Sequence, residues 1–82
     1  MSYSCEPLSL PAIDMIETGK NITRLCAERG VSAKMLQKAF GFTTPQAVYK
    51  WQRGASLPSI DNLVALSAIL GVPIESILVI SE

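Results

Sequence analysis

Residues 43–54 read TTPQAVYKWQRG, Thr43 to Gly54, a short helix bounded at both ends by its own sequence. Thr44 is a helix-capping residue, Pro45 suits the first helical position, where its missing N–H does no harm, and Gly54 is a stop. At 100° per residue, an inward Val48 carries Trp51 and Gln52 to the same side. Gln46, Lys50 and Arg53 then gather on the opposite side, with Ala47 and Tyr49 flanking them. One face is a hydrophobic anchor; the other presents an amide, an ammonium, a guanidinium and a phenol.

These groups match the edges of base pairs. A Gln amide complements adenine in the major groove, Lys and Arg complement guanine or phosphate, and Ala47 suits a thymine methyl. An ordinary solvated helix face carries similar residues, so the flanking sequence has to decide between the two. Upstream, Ser32 is a capping residue and Gly41 a stop, with Met35, Leu36, Ala39 and Phe40 on one face of a helix between them and Lys34, Gln37 and Lys38 off it. Further upstream a helix is expected from Thr18, as cap, to Arg29, with Ile22, Leu25 and Cys26 inward and Gly30 as stop. Downstream, Ser59 opens a helix that runs to Leu70. Its Ile60, Leu63, Val64, Leu66, Ile69 and Leu70 cover most of the circumference, which predicts a central, buried helix. Pro73 opens a last apolar segment, PIESILVI, readable as a short helix or as a strand. Pro7 and Pro11 argue against helix before position 11, so residues 1–17 are read as an extended arm, with a short helical turn at 12–17 left open, and 18–82 as the domain. The expected fold is all-α, a five-helix bundle with a core including Leu36, Phe40, Val48, Trp51, Leu63 and Leu66.

Charge supports a nucleic-acid reading. The net charge of the 82 residues is zero, yet Lys20, Arg24, Arg29, Lys34, Lys38, Lys50 and Arg53 all fall within positions 20–53. Only Glu28 opposes them there, so seven cations against one carboxylate leave the window at +6. The remaining acids flank it. A neutral chain segregated in this way presents a local positive field.

Other classes find little support. There is no histidine, which removes the commonest general acid–base and metal ligand, so no enzyme, catalytic residue, metal or cofactor is expected. Two cysteines, Cys5 and Cys26, are too few for a disulfide framework, and Cys26 reads as a core residue. The sequence shows no signal peptide and no apolar run long enough for a membrane span, so a cytoplasmic protein without membrane contact is expected. Mean hydropathy is +0.33, high for a small monomer. The tail Ile74, Ile77, Leu78, Val79 and Ile80 could simply finish the core, but it exceeds what a short amphipathic helix needs, so a homodimer interface is the expectation. No effector pocket is expected in a chain of this size.

The series NITRLCAERGVS, MLQKAFGF and PQAVYKWQRGASLPSIDNLVALSAILGV resembles the Cro/cI-type helix-turn-helix family of bacterial and phage regulators, the XRE family, over Gly19 to Leu78. The resemblance implies that the third helix lies in the major groove and the second crosses the phosphate backbone. Gln46, Ala47, Tyr49 and Lys50 become base readers; Thr44, Arg53, Lys34, Gln37 and Lys38 become phosphate contacts. Four departures stand out. Ala33 replaces the usual first Gln of helix two, Gln37 replaces a small residue, and the turn after Gly41 is one residue longer. Cys26 and Gln52 occupy the places of a family Arg–Glu ion pair. The expected function is a sequence-specific transcriptional regulator, a repressor binding double-stranded DNA as a dimer. The alternative is a helix-turn-helix used as a protein-interaction module, such as an antitoxin or adaptor.

Overall fold

Asp14 starts the first helix. In a computed structural model that describes residues 10–81, α1 spans Met15–Arg29, and the Asp14 carboxylate accepts a hydrogen bond from the Glu17 N–H at 3.0 Å. The start expected at Thr18 is thus corrected to an earlier turn. Both residues are cap types, but Thr18 is fully buried and its hydroxyl accepts from the Val79 N–H at 2.9 Å. A tertiary partner has taken the side chain that would have capped the helix.

The next elements follow the local signals closely. Helix α2 covers Ala33–Phe40, with the Ser32 hydroxyl accepting from the Met35 N–H at 3.1 Å. Helix α3 covers Gln46–Arg53. Its cap is Pro45 rather than Thr44, a shift of one residue. The Pro45 carbonyl already accepts the first helical bond, from the Tyr49 N–H at 3.1 Å, while Thr44 Oγ1 reaches only the Gln46 N–H at 3.4 Å. Helix α4 covers Ile60–Leu70, capped by Ser59.

Helix α4 is not the wrapped central helix expected from its composition. Leu63, Leu66 and Leu70 are buried, but Ile60 is 79% exposed, Val64 55% and Ile69 39%. The rest of the bundle covers only one stripe of it. The close pair is instead α1 and α3. An added Cβ at Gly19 would meet the carbonyl oxygens of Trp51 and Gln52 at 2.5 and 2.6 Å, so α1 rests on the backbone of α3.

The tail resolves into both readings left open by its sequence. Helix α5 is a single turn, Ile74–Ile77, and the chain then extends. With β1 as Ala12–Ile13 and β2 as Ile80–Ser81, the two pair antiparallel, Ala12 opposite Ser81 and Ile13 opposite Ile80. The Asp14 N–H donates to the Val79 carbonyl at 2.8 Å, just beside this ladder. The Asn21 amide donates to the Ser76 and Ile77 carbonyls at 2.7 and 2.9 Å, tying α1 to the end of α5. Ile77 is fully buried and Ile74, Leu78 and Val79 are half-buried, leaving Ile80 as the exposed apolar side chain of this tail. The tail therefore completes the core.

The core joins Ile22, Leu25 and Cys26 of α1, Leu36 of α2, Val48 and Trp51 of α3, the three leucines of α4 and Ile77. Among the described residues no helix is long and apolar enough to cross a membrane. The first nine residues of the expected arm, with Cys5, lie outside the described residues.

Candidate nucleic-acid interface

Val48 and Trp51 fix the rotation of α3. Val48 is fully buried and Trp51 only 4% exposed. Trp51 also meets the rings of Phe40 and Phe42 edge-on, with centroids 5.6 and 5.9 Å away. Phe40 and Phe42 stack on each other at 5.4 Å. Such aromatic contacts each contribute about 0.5–1.5 kcal/mol beyond the area they bury. Phe40 ends α2, Phe42 belongs to the turn and Trp51 to α3, so this cluster grips the whole helix–turn–helix unit.

With that side held, Gln46, Tyr49, Lys50 and Arg53 face solvent and Thr44 stands exposed at the helix start. Ala47 is half-buried and packs against the core, leaving it a smaller outward surface than its neighbours. On α2, Lys34 and Lys38 are exposed and four residues apart, which sets them on one face.

Gln37 takes a different place from the one expected. It is half-buried, and its amide nitrogen donates to the carbonyls of Phe42 and Thr43 at 3.3 and 3.1 Å. Its donors face the turn, not an outside phosphate. Nothing in the local sequence signals this contact, because an amide reaching five and six residues ahead across a turn follows no helical spacing.

The electrostatics of the two halves differ. Both ion pairs among the described residues lie on α1: Lys20 with Glu17 at 3.1 Å, and Arg24 with Glu28 at 2.8 Å. Residues 30–60 contain Lys34, Lys38, Lys50 and Arg53 and no carboxylate side chain. The helix–turn–helix unit is therefore uniformly positive. Cys26 is buried on the inner side of α1, and desolvation pushes its thiol pKa up. It is a packed side chain rather than a reactive one. Among the described residues, no cluster of three or more potential metal ligands exists.

Comparison with known proteins agrees with this geometry. A family model described as helix-turn-helix matches residues 22–77. The fold is similar to that of the restriction-modification controller protein C.AhdI from Aeromonas hydrophila, with a TM-score of 0.67 and 21% identity, covering 77% of this chain and 94% of that one. It is also similar to the DNA-binding domain of BldD, with a TM-score of 0.66 and 21% identity, covering 79% of this chain and 93% of that one. The S. venezulae BldD DNA-binding domain gives the same TM-score and identity over 79% of this chain and 96% of its own. No curated protein matches the chain in sequence.

Proposed function

The chain belongs to the XRE-type helix-turn-helix family, and from that premise we propose that it is a sequence-specific DNA-binding transcriptional regulator, acting as a repressor in the cytoplasm. The observation that carries the reading is the outer face of α3. Gln46, Tyr49, Lys50 and Arg53 project together from a helix whose other side is held by Val48 and Trp51. A B-DNA major groove, about 12 Å wide, admits one such helix.

In this reading Gln46, Tyr49 and Lys50 meet base edges, with Ala47 beside them where a thymine methyl would lie. Arg53, Thr44, Lys34 and Lys38 meet phosphates. Phosphate contacts supply affinity and fix register, while base contacts supply the sequence information. Repression follows from occupancy, since a helix seated in the groove excludes other proteins from the same base pairs. No step in this account needs a cofactor, a metal or an effector.

A two-fold homodimer would place two copies of α3 on half-sites about 34–36 Å apart. The surface that suits a second copy is α4, where Ile60, Val64 and Ile69 stand exposed, rather than the tail that fills the core.

The test is selection of bound duplexes from a random DNA pool, followed by a salt titration of the enriched site. The expected result is a preferred, two-fold symmetric site whose affinity falls steeply with salt as condensed counterions are released. If no duplex is enriched, or binding is insensitive to salt, the alternative of a protein-interaction module, an antitoxin or adaptor, takes its place. The apolar outer face of α4 would then be the natural partner surface.

A further inference from the structure

We infer that Gln37 is a positioning residue that sets the pose of α3 against α2, and so decides which bases the α3 side chains reach. The inference rests on the DNA-binding reading above. Five residues, Gly41 to Pro45, separate α2 from α3. A connection of that length has freedom to swing the second helix unless its backbone is held. The Phe40–Phe42–Trp51 cluster holds it through the Phe42 ring. The Gln37 amide nitrogen also donates to two successive carbonyls of it, Phe42 at 3.3 Å and Thr43 at 3.1 Å. The Phe42 N–H in turn donates to the Gln37 carbonyl at 3.0 Å. Residue 37 and the turn are thus joined through both main chain and side chain. A carbonyl pair pinned from within α2 fixes the direction in which the chain leaves toward Thr44 and Gln46.

Thr43 is exposed, so its carbonyl has water as an alternative partner. Removing the amide therefore releases the turn without leaving that group buried and unpaired. The loss falls on the orientation of α3 more than on the existence of the fold. A base contact made by an amide or ammonium requires its geometry, whereas a phosphate contact tolerates displacement.

The experiment compares the whole chain with Gln37→Met, which keeps the length of the side chain and removes its donors. Duplexes are selected from a random pool with each protein, and the salt slope is measured on each enriched site. The expected result is that Gln37→Met loses roughly tenfold or more of its preference at the base pairs beneath α3, the scale of one bidentate base contact, with the salt slope retained. A uniform loss of affinity on all duplexes, with the slope reduced by about one, would make Gln37 a phosphate contact and overturn the inference. An unchanged preference overturns it too. A wild-type chain that enriches no duplex removes the DNA reading itself, a result distinct from both. As a check independent of any variant, side-chain amide exchange is followed by NMR in the wild-type protein. Gln37 is expected to exchange more slowly than the exposed Gln46, and equal rates would show that the contacts to the turn do not persist in solution.

Discussion

Gly19 of α1 lies directly on the main-chain carbonyl of Trp51, so closely that a Cβ added at Gly19 would stand 2.5 Å from that oxygen. The partner is backbone, with the Gln52 carbonyl oxygen next to it at 2.6 Å, and no rotamer change can relieve the contact. This crossing supports α3 from behind while its other face looks out.

Gly19→Ala is therefore expected to destabilise the domain. Alanine raises intrinsic helix propensity by about 1 kcal/mol, but overpacking against rigid backbone costs about 1–3 kcal/mol, and contacts this short fall at the upper end. The expected net result is a lower melting temperature by thermal circular dichroism, with weakened DNA binding because α3 is displaced. A variant as stable as wild type would show that the two helices stand further apart in solution.

Thr18 carries the second prediction. It is the buried polar side chain that receives the Val79 N–H, at the point where the tail joins the start of α1. Thr18→Ala leaves that N–H without its partner, a loss of about 1–3 kcal/mol, whereas Thr18→Ser keeps the acceptor and loses only a methyl. Hydrogen exchange at Val79 measures this directly. Faster exchange is expected in the alanine variant than in the serine variant, and equal rates in both would remove the hydroxyl from the account.

Thr18 also shows where sequence reading stops. Ser32, Gly41, Gly54, Ser59 and Gly71 mark helix ends by local chemistry, and the structure places α2, α4 and the end of α3 at these signals. Thr18 and Asp14 look alike locally, and only the distant Val79 decides between them. The same holds for Ile80, whose strand partner Ile13 lies at the other end of the chain. Apolar residues cover most of the circumference of helix α4, so its sequence alone does not show which apolar stripe the bundle covers. At the candidate site, the exposure of Gln46, Tyr49, Lys50 and Arg53 follows from the phase set by Val48 and Trp51. The inward amide of Gln37 follows from no phase at all.

The buried Cys26 thiol gives a pH prediction. Burial raises its pKa in the folded protein, so the folded state holds this proton more tightly than the unfolded chain does. Its contribution to stability is complete below the ordinary thiol pKa. That contribution is lost progressively as pH rises from the ordinary value through the raised one. Denaturant titrations across that alkaline range are expected to show stability falling with pH, with a shallower fall in Cys26→Ala. Identical pH profiles would mean that the thiol ionises as easily folded as unfolded.

Val64 tests the proposed dimer. It is 55% exposed on α4, beside the still more exposed Ile60. Val64→Asp leaves the monomer core untouched, because Leu63, Leu66 and Leu70 supply the buried stripe. In a dimer closed by this face the change sets an unpaired charge within the contact. Sedimentation is expected to show a shift from dimer to monomer, together with weaker binding to a two-fold site. An unaltered oligomeric state would move the contact elsewhere.

The outer face of α3 separates base reading from phosphate binding. Gln46 and Lys50 are exposed on α3, and Arg53 follows Lys50 at the last helical position. If Gln46 and Lys50 meet base edges, Gln46→Ala and Lys50→Ala each relax preference at one position of the site, by about 1–3 kcal/mol, and leave the other positions unchanged. If Arg53 meets a phosphate, Arg53→Ala weakens binding to every sequence alike and lowers the salt slope by about one. Both outcomes are read from one set of measurements, the affinity of each variant for the selected site and for single-base changes in it, repeated at several salt concentrations. The two behaviours are independent, since a lost base contact changes the pattern across sequences and a lost phosphate contact changes the dependence on salt. A uniform loss on Gln46→Ala or Lys50→Ala would reassign that residue to the backbone. An unchanged slope on Arg53→Ala would place its guanidinium away from the duplex, and with it the last turn of α3.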